Sequence, residues 1–301
     1  MAAGFWSTDA MGAPLIQYLF AGLTSGAIYA LAGLGFSLIY NASSVINFAQ
    51  GEFIMIGGMT AASLVAAGIP LPLAALAAVA VTVVVGMALE KLAIEPARDA
   101  GVVSVVIITI GASIFLRGVA QLVWDKDFHS LPSFSGDIPL HVGGAVLMPQ
   151  SLWVLGVSMA VIAWLWWFFT RTLFGKAMLA ASANRLAAQL VGIAVKRVLL
   201  AAFALSALLG AVGGVVVTPI TFTNTDAGIM LGLKGFAAAV LGGLGSGPGA
   251  IAGGLLVGLA EALAAGYLSS AYKDAIAFVI ILSVLVLRPQ GLFGCRGSDR
   301  V

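Results

Sequence analysis

Residues Gly175–Arg197 read GKAMLAASANRLAAQLVGIAVKR. This long, charged interruption carries Lys176, Arg185, Lys196 and Arg197, and strongly apolar sequence flanks it on both sides. A basic, helix-forming loop between apolar runs predicts a cytoplasmic docking element on a membrane protein, because cytoplasmic loops hold the excess of Lys and Arg. Working outward, 61% of the 301 residues are hydrophobic and 9% are charged. Ordinary globular chains are about 25% charged, so this chain has too few charges to cover a water-exposed surface. The fold class that follows is an all-α polytopic membrane protein in a single transmembrane domain, 1–301, with a cytoplasmic loop at about 175–197. The 38 glycines fit that reading, since small residues let helices approach closely in lipid.

Apolar runs fall near 15–39, 51–68, 71–90, 102–124, 151–170, 198–217, 228–245, 249–266 and 274–288. Their lengths are near the roughly 17–25 residues that cross a hydrocarbon core, which predicts about 8–9 transmembrane helices, some broken or re-entrant. Lys91 and Arg98 share one short loop, and Arg288, Arg296 and Arg300 form the tail. The loop at 125–150 sets Asp125, Asp127 and Asp137 against the single Lys126. The positive-inside rule therefore places the basic regions inside and the 125–150 loop outside, with the N-terminus out and the C-terminus in. The first span, near Leu15 to Ile39, is expected to act as its own insertion signal. Trp124 and the cluster Trp164, Trp166 and Trp167 fall where aromatic belts are expected.

Two segments break the pattern. NASSVINFAQGEFIMIGG, Asn41 to Gly58, sets Asn47, Gln50 and Glu52 among apolar neighbours. KGFAAAVLGGLGSGPGAIAGG, Lys234 to Gly254, contains glycines and Pro248 that interrupt a helix. Irregular backbone at membrane depth is tolerated only where protein or a watery cavity satisfies it, and discontinuous helices commonly mark a substrate path. Asn47, Gln50, Glu52, Gly242, Gly243 and Glu261 are therefore candidates for a translocation path or gate. For Glu52 three readings stand open: an interfacial helix cap, an interhelical or gating contact, and a substrate contact. Glu261, if buried, needs a cation such as Lys234 or Lys273. Asn224 and Asp226, in the external loop TPITFTNTDAG, are candidates for docking a partner. AQGEFIMIGG loosely echoes LKGFAAAVLGG, an internal echo too thin to carry an argument alone.

Several classes of function find no support in the residues. GGLGSGPG lacks the Lys-[Ser/Thr] ending of a phosphate-binding loop, and no strand precedes it. One cysteine, Cys295, forms no intrachain disulfide, and His129 and His141 are too few for a metal cluster. No nucleophile–base constellation appears, so the chain is not expected to be an enzyme or to bind a cofactor. A stand-alone channel or secondary transporter is a competing class. It would place ionisable residues deep in several spans and would need no basic docking helix. A non-transporting scaffold is a second alternative, and the broken spans argue against it.

Three blocks resemble the permease subunits of branched-chain amino-acid (LIV-type) ABC transporters. They are VINFAQGEFIMIGG (Val45 to Gly58), GKAMLAASANRLAAQLVGI (Gly175 to Ile193), and LKGFAAAVLGGLGSGPGAIAGGLLVGLAEAL with YKDAIAF and RPQGLFG (Leu233 to Gly294). In the first, Gln50 stands where the family often has histidine. The resemblance implies an EAA-x3-G coupling element at Leu186, Ala187, Ala188 and Gly192, with Leu186 replacing the usual glutamate. Leu190 completes its apolar knob, and Asn184 or Arg185 supplies polar contacts. It further implies residence in the bacterial inner membrane, a second homologous permease, two cytosolic ATPase subunits that use ATP and Mg, and a periplasmic solute-binding protein. Leucine, isoleucine and valine are the implied substrates. Other amino acids, urea, short amides and aromatic acids remain open for this architecture.

Overall fold

The computed structural model describes residues 8–97, 100–142, 145–288 and 290–294. Arg98, Cys295, Arg296 and Arg300 lie outside them. Each of the nine apolar runs forms a helix. The first four are α1 (Thr8–Ser43), α2 (Gln50–Ala66), α3 (Leu71–Leu89, continuing as a π-helical turn Glu90–Ile94) and α4 (Val102–Trp124). The loop after α4 holds a small antiparallel hairpin of β1 (Leu140–Val142) and β2 (Ala145–Leu147). Then come α5 (Pro149–Arg171), two short helices α6 (Leu173–Ala183) and α7 (Arg185–Leu190), and α8 (Val195–Thr221). The chain closes with α9 (Ala227–Gly242), α10 (Gly247–Tyr267) and α11 (Lys273–Leu287).

Among the described residues seven helices are long and apolar enough to cross a membrane, the turn before α11 counted with it. The shorter α2 and α9, with 17 and 16 residues, occupy the two broken segments. The protein is a multi-pass membrane protein.

Two antiparallel copies of one unit, α1–α4 and α8–α11, make up most of the bundle. Each starts with a long helix that ends at a non-glycine residue in the left-handed region, Ser44 at φ 58° and Phe222 at φ 59°. A non-helical loop follows, 44–49 or 222–226, and then a short helix, a tight turn and a long helix. The packing repeats in step: α1 lies against α10 and α9, and α8 lies against α3 and α2. Between the units α1 and α8 run antiparallel. Ala27 and Ile28 meet Val216 and Val217 at one end, and Ala42 meets Val198 and Ala202 at the other.

The short helices touch at their first turns. A Cβ on Gly51 would lie 2.0 Å from the carbonyl oxygen of Gly228, and one on Gly228 would lie 2.8 Å from that of Gly51. Backbone meets backbone here, the contact that small residues allow where lipid offers no hydrophobic drive. Gly51→Ala is expected to push α2 and α9 apart and lower the melting temperature of the purified protein. A melting curve matching wild type would disprove so close an approach.

Candidate functional site

The loops that lead into α2 and α9 leave the regular hydrogen-bond ladder, so side chains and neighbours must satisfy them. In the first, Phe48 N–H donates to Thr109 Oγ1 at 3.2 Å, and Ala49 N–H donates to Asn47 Oδ1 at 3.1 Å. In the second, the amides of His129 and Thr223 donate to each other's carbonyls at 2.8 and 2.9 Å, which ties the loop to the 125–150 segment. Gln50 is fully buried. Its Nε2 donates to the Ser206 carbonyl at 3.2 Å, and its Oε1 accepts from Ser206 Oγ. Gln50 thus joins α2 to α8, the interhelical tie expected of an amide side chain in lipid.

Glu52 is the third residue of α2, in its first turn. It is 1% exposed, and its Oε1 accepts from Ser113 Oγ at 2.8 Å. Ser113 is the middle residue of α4, which places this carboxylate at mid-depth. The reading of Glu52 as an interfacial, water-solvated cap does not survive that burial. Oε2 has no hydrogen-bond partner, and neither do Asn47 Nδ2 and Thr225 Oγ1 in the adjoining loops. Buried polar atoms are normally paired, so three unpaired ones at one junction mark it as unusual.

A half-enclosed cavity of about 270 Å³ opens beside Glu52. Ser113 and Arg117 of α4 complete its polar lining. Phe36, Phe48 and Phe236 form an aromatic cluster on its wall, with ring centroids 5.7 Å apart from Phe36 to Phe236 and from Phe48 to Phe236. Ile110, Ile114 and Leu233 add aliphatic surface. The first turn of α9 borders the same space through Gly228 and Ile229. Arg117 approaches Asp226, the residue preceding α9, at 3.8 Å, a long ion pair with Asp226 well exposed. Arg117 and Ser113 belong to the site although no motif in the sequence marks them. The available signal was an arginine inside an apolar span, where ionisable residues are costly and usually functional.

The remaining candidates lie elsewhere. Glu261 on α10 is buried in a network whose outer member, Asp274, is 39% exposed. Its Oε1 accepts from Lys234 Nζ at 2.7 Å and its Oε2 from Tyr29 Oη at 2.7 Å, while Lys234 also pairs with Asp274 at 2.6 Å. The network locks α1, α9, α10 and α11 together, and of the two candidate cations, Lys234 and Lys273, it is Lys234 that pairs with Glu261. Gly242 and Gly243 lie at the α9–α10 turn. A Cβ on Gly242 would meet the Gly249 carbonyl at 1.9 Å, and Gly243 packs on Gly291 and Gly294. Asn224, half-buried, and Asp226 sit in the loop that enters α9. Among the described residues no group of three or more His, Cys, Asp or Glu side chains is placed to hold a metal ion.

At the basic segment the chain turns twice. Thr172 caps α6 by accepting from Gly175 N–H at 3.0 Å, and Asn184 caps α7 by accepting from Ala187 N–H at 3.0 Å. Helix α7 ends where Ile193 N–H reaches the Ala188 carbonyl at 2.9 Å and Gly192 N–H reaches that of Gln189 at 3.0 Å. Gly192 has φ 87°, the left-handed stop that glycine favours. Ala188 packs inward with Met178 and Val198, and Arg185 donates to the Ala42 carbonyl at the end of α1. Leu186, Leu190 and Val191 are 75%, 89% and 77% exposed. A stiff apolar knob on a basic base has no use for solvent and suits a groove on another protein.

Two inverted units, half-helices that meet at a mid-depth cavity and a short helix with an exposed apolar face fit a membrane transport subunit. Its family is also plain: the chain belongs to the family described as branched-chain amino acid transport system / permease component, whose model matches residues 18–285. It is 35% identical to the high-affinity branched-chain amino acid transport system permease protein LivH of Escherichia coli K12, over 95% of this chain and 97% of the relative. It is 34% identical to the corresponding BraD protein of Pseudomonas aeruginosa, over 95% and 98%. The ribose import permease protein RbsC of Escherichia coli K12 is 28% identical over 90% and 85%.

Proposed function

We propose that this chain is a permease subunit of an ABC importer for leucine, isoleucine and valine in a bacterial cytoplasmic membrane. The exposed α7 knob carries the mechanism: it is the part of the chain shaped to receive force from another protein. The chain's polar residues suit transport and not hydrolysis, so ATP and Mg are used by two partner ATPase subunits that seat α7. A second, homologous permease pairs with this one, and a periplasmic binding protein delivers solute. The basic segment faces the cytoplasm, and the 125–150 loop, with Asn224 and Asp226 close by, faces the binding protein. Coupling follows when ATP and solute favour the same conformations of the bundle.

LivH and BraD, similar over nearly their whole length, support the substrate assignment. RbsC supplies the competing one, a sugar. The test is uptake of labelled leucine into vesicles that hold the complete transporter, with ribose, urea and an aromatic amino acid as competitors. ATP-dependent leucine uptake resistant to all three is the expected result. Uptake of a competitor in place of leucine would refute the substrate, and uptake without the ATPases would refute the mechanism.

A further inference from the structure

The cavity at the α2–α9 junction has a chemistry that a passive apolar gap would lack. It pairs a buried carboxylate, one oxygen of which has no partner, with a guanidinium whose ion pair among the described residues is a long one to Asp226. Between and around them the wall is aromatic and aliphatic. Its volume of about 270 Å³ lies just under the roughly 300 Å³ at which small-molecule pockets begin, which suits one molecule of amino-acid size. A free amino acid must bring both an ammonium and a carboxylate out of water, and burying either charge unpaired is costly.

We infer that Glu52 and Arg117 form an intramembrane binding site for a zwitterionic aliphatic amino acid, with the phenylalanine cluster receiving its side chain. This rests on the proposed transport function and names the point in the bundle where the permease itself touches substrate. Glu52 Oε2 accepts from the ammonium while Ser113 holds the other carboxylate oxygen. Arg117 turns from its distant partner Asp226 and donates to the carboxylate as a fork, the geometry guanidinium favours. The aliphatic chain then lies against Phe36, Phe48 and Phe236. A sugar would find Glu52, Ser113 and Arg117 as the polar lining and would leave most of its hydroxyls unpaired, which disfavours it.

Glu52→Gln keeps the shape and the hydrogen bond to Ser113 but removes the charge, and Arg117→Gln removes the fork. In the complete transporter, at saturating leucine-loaded binding protein, each is expected to cut ATP-dependent leucine uptake by about tenfold or more, the effect of losing one charge-assisted contact. Glu52→Asp should recover part of the loss. Wild-type rates in both neutralised variants would overturn the site. The second measurement needs no variant and so is immune to misfolding. Wild-type transporter is turned over with the diazirine analogue of leucine, irradiated and digested. Adducts on Phe36, Phe48, Phe236 or Ile114 are expected. Adducts confined to other surfaces overturn the site, including the larger apolar cleft of about 540 Å³ that Leu38, Trp166 and Ile251 help to line. If wild type moves no leucine at all, the proposed function falls first and this site falls with it. Leucine uptake with unlabelled cavity residues refutes the site alone.

Discussion

Lys234→Met should destabilise the folded protein by about 3–5 kcal/mol, because it strips the cation from a buried ion pair. Lys234 is 6% exposed and Glu261 8%. With Lys234 gone, Glu261 keeps the Tyr29 hydroxyl as its hydrogen-bond donor, and Asp274 loses its 2.6 Å partner. Four helices converge on this point, so the loss should appear as a cooperative drop in the melting temperature of the detergent-solubilised protein and in its yield from the membrane. The double variant Lys234→Met with Glu261→Gln removes the unpaired charge together with the cation and should recover part of the loss. If Lys234→Met alone melts like wild type, water must reach the Lys234–Glu261 pair and these two side chains are not buried.

The second large effect belongs to α7. Leu190→Asp places a charge on a side chain that is 89% exposed, so the permease should fold normally while losing its ATPase partners. Gly192→Val acts differently. A β-branched residue at φ 87° is strained by about 1–3 kcal/mol, which should unwind the stop after α7 and tilt the knob. Both variants are expected to reach the membrane at wild-type levels, to co-purify poorly with the ATPases and to lose most ATP-dependent uptake. Full uptake and association in both would show that coupling runs through another surface.

Much of this architecture is written in runs of one period or one composition. Nine apolar runs become nine helices because a backbone in lipid must satisfy its own hydrogen bonds, and seven of them, with the turn before α11, are long enough to cross. Gly192 reads as a helix stop because so few residues take its conformation. The two broken segments were legible because glycine, proline and amides have no place in an uninterrupted span. The internal echo pointed to the right pair of helices in the wrong register. It matches Gly51 with Gly235, whereas both Gly51 and Gly228 are the second residue of their short helix, a slip of seven residues or about two turns. Small, apolar residues repeat too often along such helices for letters alone to fix the phase. The depth of Glu52 was not legible either. It depends on how far loop 44–49 dips beside α4, which the Thr109 contact and the Gly51–Gly228 approach decide across the bundle. Arg117 and Ser113 join Glu52 only through that same approach, about sixty residues away in the chain.

The antiparallel pairing of the two units has one more consequence. Their shapes are alike, so each unit can adopt the other's small deviations at little cost, and an exchange between them turns the molecule over without turning it around. A bundle whose mouth lies on one side of the membrane therefore carries within itself the description of a bundle whose mouth lies on the other. The contact of Gly51 with Gly228 lies between the units, where such an exchange moves the chain least. A passenger held beside it need not travel while the exits change around it.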